Sequence, residues 1–259
     1  MSYLHGKFVW FEHSSADIPK ARRFYESLLG WHTESMPVGD QRYSMILNNN
    51  EGIGGYSSGR PGAASCWNAY LSVADVDASH SAALSAGARS LVPPVDFGSV
   101  GRGAQLADPT GASFWIWKGA QGDRADPAKT PAGDWYWNEL WTPDETRALN
   151  FYQRLFGYGH DTMDMGPAGT YHLLKKDGVS RAGLMRAVEP KAKAMWLPYV
   201  AVDDCDACAA KAKTLGAQVV HEPSDVPGVG RFAILVDPLG AAIAVMRGLP
   251  VDCTQYSIL

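Results

Sequence analysis

Two glutamates sit in matching surroundings, "WFEH" at Trp10–His13 and "WNEL" at Trp137–Leu140, each with a tryptophan two positions ahead of the carboxylate. In an extended strand residues i and i+2 face the same side, so Trp10 shares a face with Glu12, and Trp137 with Glu139. A carboxylate there can act as a general base, accept a hydrogen bond from a ligand hydroxyl, or pair with Arg102 or Arg231. It can equally be an internal ion pair or a cap on backbone groups, because burial perturbs a carboxyl for structural reasons as well as catalytic ones. Trp115 and Trp117 alternate on a later apolar run, and Trp10, Asn68, Tyr70, Trp115 and Trp117 together would line a pocket with few polar groups, the usual make-up of a small-molecule site. The matching set in the second half is Trp137, Leu197, Tyr199, Ala244 and Met246, expected to be more open and more apolar. Tryptophan that simply fills a core is the alternative reading.

Other chemistry finds less support. No HxH, HxxxH or HExxH spacing occurs, and most of the seven histidines are expected at the surface. His13 and His172 flank strand-like runs, and of the neighbours Tyr171 and His172 only one can face inward. "CDAC" at Cys205–Cys208 has a redox spacing at a predicted helix start, where a thiolate would be favoured. Its counterpart "VDAS" has no cysteine, and no thioredoxin-like pattern surrounds it. No GxSxG nucleophile context appears, and "GIGG" and "GVGR" lie between strands, where a phosphate cradle would need a following helix.

The elements that must position these residues are written twice. "VWFEHSSADIPKARRFYESLLGW" from Val9 is restated as "YWNELWTPDETRALNFYQRLFGY" from Tyr136, and sliding Phe24 onto Phe151 also superposes Trp10 on Trp137, Glu12 on Glu139, Asp17 on Asp144 and Gly30 on Gly157. Farther on, Tyr43 pairs with Tyr171, "CWNAYLSVADVD" with "MWLPYVAVDDCD", Gly101-Arg102 with Gly230-Arg231, and "DPTG" with "DPLG". Each repeat begins with a short β-branched and aromatic run, then a helix capped by Asp17 with Pro19 in its first turn and Gly30 at its end. Three further extended runs follow between turn residues. From Trp67 the same pattern starts again, which gives four βαβββ units, two per repeat, in an α+β chain. The divisions are 1–117 for the first domain, a Gly-, Ala- and Pro-rich linker at 118–134, 135–248 for the second domain, and a C-terminal tail at 249–259.

Bulk properties agree. With 259 residues, 46% hydrophobic and 19% charged, the chain can bury one large core or two ordinary ones. A net charge of −4 and the lack of any basic run argue against nucleic acid as a partner. No segment approaches the roughly 20 apolar residues of a membrane span, so a cytoplasmic protein is expected, its four cysteines reduced.

The helix ending "FYESLLGW", the "GxR" and "DPxG" segments and the paired βαβββ units resemble the vicinal oxygen chelate superfamily, which includes glyoxalase I, bleomycin-resistance proteins and extradiol dioxygenases. The duplicated layout with "WNEL" opening the second half is most similar to the two-domain glyoxalase/bleomycin resistance protein/dioxygenase branch. The resemblance covers almost the whole chain outside the linker and tail, and implies a tandem glyoxalase/bleomycin-resistance fold with two curved-sheet cups. It also implies a pseudo-twofold monomer or weak homodimer, and a small-molecule ligand. The family's metal-ligand positions would fall on Trp10, Asn68 and Trp115 in one repeat and Trp137, Leu197 and Ala244 in the other, with a fourth on the "GIGGYSSG" or "VSRAGLMR" strand. A divalent site needs about three nitrogen, oxygen or sulfur ligands, which these positions do not supply, so no metal cofactor is expected there. What remains is a lyase or isomerase working through Glu12 or Glu139, or a binding protein whose aromatic walls stack on a planar ligand, or a scaffold for a partner.

Overall fold

The computed structural model describes residues 2–38, 41–59, 62–187, 189 and 192–249; beyond Leu249 the expected tail lies outside the described residues. The first repeat supplies β1 (Phe8–Ser15), α1 (Ile18–Leu29), β2 (His32–Val38), β3 (Gln41–Asn48) and β4 (Glu51–Ser58), then β5 (Cys66–Ser72), α2 (Val76–Ser85), β6 (Arg89–Asp96), β7 (Gly101–Ala107) and β8 (Ser113–Gly119). The second follows the same order with β9 (Trp135–Thr142), α3 (Glu145–Phe156), β10 (Gly159–Asp164), β11 (Thr170–Lys176) and β12 (Val179–Arg186), then β13 (Met195–Ala201), α4 (Cys205–Thr214), β14 (Gln218–Val226), β15 (Gly230–Val236) and β16 (Ala242–Gly248). Each repeat forms one eight-stranded sheet, in the orders β2-β3-β4-β1-β5-β8-β7-β6 and β10-β11-β12-β9-β13-β16-β15-β14. The four βαβββ units and the α+β class expected from the repeat are therefore present.

Local chemistry sets the helix ends. Asp17 accepts the backbone N–H of Lys20 at 3.0 Å, and Gly30 closes α1 in the left-handed conformation at φ 72°. Asp144 and Gly157 do the same for α3. Ala21, Phe24, Tyr25 and Leu28 recur at helical spacing and are buried.

The cores do not follow the repeats. One joins α1 residues Ala21, Phe24 and Leu28 to Cys205, Ala209, Leu235 and Val245 of the second repeat; the other joins Phe151, Tyr152 and Phe156 of α3 to Leu71, Leu106 and Phe114 of the first. Helices thus pack α1 on α4 and α2 on α3, and the sheet faces turned away from them are left for the cups.

The "DPxG" turns tie the halves together. Asp108 Oδ1 accepts backbone N–H groups of Thr110, Gly111 and Ala112 at 2.7–3.1 Å, while its Oδ2 accepts the hydroxyl of Tyr152 at 3.0 Å. Asp237 repeats this with Leu239 and Ala241 on Oδ1 and Tyr25 on Oδ2. Between the sheets the linker runs as a strap. Its Asp126 pairs with Lys7 at 3.0 Å and Arg181 at 2.8 Å, and Arg124 pairs with Glu51 at 2.6 Å.

Candidate active site in the first cup

Strand alternation places Trp10 and Glu12 of β1 on the cup face and Phe11 and His13 on the helix face. Glu12 is aligned with Gly55 on β4 and with Asn68 on β5. Tyr43, one strand beyond β4, reaches over Gly55 to donate its hydroxyl to Glu12 Oε2 at 3.0 Å, and accepts Trp10 Nε1 at 3.0 Å. Glycine is required beneath it, because a Cβ at position 55 would lie 2.0 Å from the Tyr43 oxygen. Burial pushes the Glu12 carboxyl above the usual carboxylate range, and hydrogen bonds from Ser57, Tyr43 and Tyr70 draw it part of the way back.

Beside this group stands an aromatic wall. Tyr70 and Trp115 are parallel within 2° at 5.2 Å, Trp117 meets Tyr70 edge-on at 5.9 Å, and Phe97 leans on both tryptophans. Gln105 Nε2 donates to Asn68 Oδ1 at 3.2 Å. The five residues Trp10, Asn68, Tyr70, Trp115 and Trp117 are thus brought together around Glu12.

The second cup repeats the centre and closes it. Trp137 Nε1 donates to Tyr171 at 2.9 Å, Tyr199 donates to Glu139 Oε1 at 3.1 Å, and Trp141 Nε1 donates to the same oxygen. Glu139 is 6% exposed; burial raises its carboxyl, opposed by bonds from Trp141, Tyr171 and Tyr199. Gly183 plays the part of Gly55 beneath Tyr171. The expectation of a more open second cup is corrected here: Leu197, Tyr199, Ile234, Ala244 and Met246 form a buried cluster with Trp137, Trp141 and Phe232 packed on it. Phe232 stands where the first repeat has Gly103, and Trp141 where it has Ser14, so they fill the space released by replacing Trp115 and Trp117 with Ala244 and Met246.

Arg102 and Arg231 are placed elsewhere. Arg102 holds Asp77 of α2 through Nε at 2.9 Å and Nη2 at 2.8 Å, and reaches Asp96 at 3.0 Å; Arg231 binds Asp206 and Asp225 alike. Their neighbours explain this, since Gly103 lies beneath Trp117 and Gln105 reaches Asn68, which turns Arg102 to the helix face. His13 also departs from the surface position expected of most histidines: it is fully buried, with Nε2 2.8 Å from Asp237 Oδ2. Tyr171, not His172, bonds within the cup. Cys205 and Cys208 are buried and free, and burial pushes their thiols up to about 12 and about 11, so the helix start does not favour a thiolate.

Sequence reasoning missed Tyr43, Tyr171, Gly55 and Gly183 as parts of the centre. All four recur in both repeats at matched positions, and that recurrence was the available signal. Ser57 and Trp141 differ between repeats and carried none.

The family model described as "Glyoxalase-like domain" matches residues 138–246. The chain is 37% identical over 254 residues, 96% of its length and 97% of the relative's, to CFP32 of Mycobacterium bovis and Mycobacterium tuberculosis, which carries a provisional glyoxylase name. It is 30% identical over 95% of its length and 94% of the relative's to the anthracycline biosynthesis protein DauV of Streptomyces sp. strain C5. Among solved structures, the fold resembles the Mn(II)-bound glyoxalase from Novosphingobium aromaticivorans, with a TM-score of 0.65, 17% identity and coverage of 95% and 83% of the two chains. The 2,3-dioxygenase LapB from Pseudomonas sp. KL28 follows at 0.62, 12% identity, and coverage of 96% and 93%.

The donors do not fit a divalent cation of that kind. The positions expected to ligate hold Trp10, Asn68 and Trp115, or Trp137, Leu197 and Ala244, and each cup centre has one carboxylate already engaged by hydroxyl or indole donors. Among the described residues no three His, Cys, Asp or Glu side chains stand close enough to hold a metal ion.

Proposed function

The chain belongs to the glyoxalase-like family of the vicinal oxygen chelate superfamily, and from that premise we propose that its first cup takes a small oxygenated molecule and moves a proton through Glu12, as a lyase or isomerase that does not use the family's metal positions. The observation that carries this reading is the contrast between the two carboxylates. Glu12 is partly exposed beside the flat Tyr70–Trp115 wall, whereas Glu139 is sealed under Trp141, Tyr171 and Tyr199. A carboxyl raised by burial is, when ionised, a stronger base than a solvated one. In its ionised form Glu12 would accept a proton from a carbon beside a carbonyl or from a hydroxyl, and either return it at a second atom, as an isomerase does, or deliver it to the group that departs with the electron pair of its broken bond, as a lyase does. Tyr43 positions it: with its oxygen accepting from Trp10 and its proton directed at Oε2, the phenol holds the carboxyl in one orientation.

A second reading is binding without turnover. The hydroxyl donors on Glu12 favour it, because each stabilises the ionised form and makes it a weaker base. The names of the Streptomyces relatives support a planar polycyclic ligand for such a wall, since anthracyclines are of that class. Glu12→Gln separates the readings. Loss of turnover by at least 100-fold with ligand affinity kept supports proton transfer; unchanged turnover in Glu12→Gln would exclude it, whatever Glu139→Gln does. Tryptophan quenching by ligand without product, removed by Trp115→Ala, would leave binding alone.

A further inference from the structure

Beyond the first cup, between β1, the start of β4, the end of β8 and the strap, lies a cavity of about 310 Å³, lined among others by Phe8, Trp10, Ile53, Trp117, Thr130 and Trp135. That volume is at the lower end for a small-molecule site, and its walls combine the aromatic residues Phe8, Trp10, Trp117 and Trp135 with the charged residues Lys7, Asp123, Arg124 and Asp134. We infer that this cavity is a second ligand compartment, for an uncharged planar aromatic group bearing at most a hydroxyl, and that the strap is its roof.

The charges around the cavity select the class. Lys7 is paired with Asp126 at 3.0 Å and also donates to Arg124 O at 2.5 Å. Arg124 is paired with Glu51 at 2.6 Å. Of the two lining carboxylates, Asp123 accepts the backbone N–H of Leu4 at 2.5 Å and Asp134 accepts Asn48 Nδ2 at 2.6 Å. Each charged group therefore has a protein partner, and an ionic ligand would have to displace one of them while paying its own desolvation. An uncharged ring avoids both costs and meets the aromatic surface of three tryptophans, Trp10, Trp117 and Trp135. The hydroxyl of Thr130 is the polar group left to orient a ring substituent.

Trp10 links the compartment to the catalytic proposal, on which this part of the inference rests. Its ring lines the cavity while its Nε1 donates to Tyr43, which in turn holds Glu12. A ring bound under the strap lies against Trp10, the donor to the phenol that orients the carboxyl. The second cup has Trp137 in the same relation to Tyr171.

The two sites can be read apart with 2-naphthol, following indole N–H resonances assigned by single Trp→Phe variants. Trp135 lines the cavity, whereas Trp115 belongs to the cup wall. The expected result is a saturable shift of Trp135 together with Trp10 and Trp117, weakened at least tenfold by Thr130→Phe, which fills the cavity from the strap, and retained in Glu12→Gln. A Trp135 resonance that stays fixed up to the solubility limit overturns the inference. So does a shift that Thr130→Phe leaves unchanged. Movement of Trp115 alone would keep the cup reading and discard the strap compartment, while movement of Trp135 with Trp115 silent would keep the compartment and count against the cup.

Discussion

Tyr25 on α1 gives its hydroxyl proton to Oδ2 of Asp237, 2.9 Å away and 212 residues later in the chain. Tyr152 returns the bond to Asp108 of the first repeat at 3.0 Å, and each tyrosine accepts an indole N–H, from Trp67 and Trp196 respectively, at 2.9 Å. Removing either hydroxyl strands a buried indole donor and takes a donor from a buried carboxylate. Tyr25→Phe and Tyr152→Phe are each expected to lose about 2 kcal/mol, read as a lower urea midpoint at unchanged slope.

His13 breaks the symmetry of this arrangement, because Leu140 stands at the matching place beside Asp108. His13→Leu copies the second repeat but takes one hydrogen-bond partner from the buried Asp237 carboxylate, and is expected to cost about 1–3 kcal/mol at pH 7. Its signature lies in acid. Asp237 is held below its ordinary value; burial opposes this, and the His13 hydrogen bond and charge are the leading causes that lower it. A depressed carboxyl stabilises the fold above its unfolded value and loses that contribution as pH falls through the folded one. His13→Leu should therefore shrink the loss of stability between pH 4 and lower values, measured by thermal unfolding across a pH series.

Glu139 has the opposite sign. Its carboxyl is raised by burial from 4.5, so the folded state binds the proton more tightly than the unfolded state. Stability then falls as pH rises from about 4.5 through the folded value. Glu139→Gln keeps an acceptor for Trp141 and Tyr199 without the charge, and is expected to raise the melting temperature at pH 7 and flatten that fall. A lower melting temperature at every pH would show that Gln cannot take over the bonds.

Gly55→Ala tests how the centre is held. The added Cβ would meet the Tyr43 oxygen at 2.0 Å, so the phenol must leave Glu12. A cost of about 1–3 kcal/mol is expected from overpacking, with the Glu12 carboxyl titrating higher than in the parent by carbon-detected NMR. Tyr43→Phe should reproduce the titration change without the full loss of stability.

Burial of Cys205 and Cys208 predicts resistance to alkylation. At pH 8 iodoacetamide is expected to modify Cys66, which is exposed, and to reach Cys205 and Cys208 only in denaturant, as mapped by peptide mass spectrometry.

Much of the fold was legible because the chain states it twice: caps at Asp17 and Asp144, helix ends at Gly30 and Gly157, and matched strands all recur. The cup wall was legible from alternation along single strands. Partners across strands were not. Whether Arg102 or Gly103 faces the cup depends on the pairing of Gly103 with Trp117 and Gln105 with Trp115, a register that no single strand reveals. Alternation from Trp10 and Glu12 already turns His13 to the helix face, yet its partner Asp237 belongs to the other repeat, and nothing local to "WFEH" announces it. The closed second cup was missed for a related reason: the loss of Trp115 and Trp117 at Ala244 and Met246 was visible, but Phe232 and Trp141, which fill the space, come from other strands.

Because each core is shared between the first and last quarters or between the middle two, synthesis from the ribosome meets them unequally. The middle core can close once α3 and β12 have emerged beside β5 to β8. The outer one cannot: α1, with Ala21, Phe24 and Leu28, can settle on Ile46, Tyr56 and Trp67 of its own repeat, but its second partner surface, Cys205, Ala209, Leu235 and Val245, is made last. The amino-terminal unit therefore stays half-packed through most of translation, and its last contacts close only when the final strands are made.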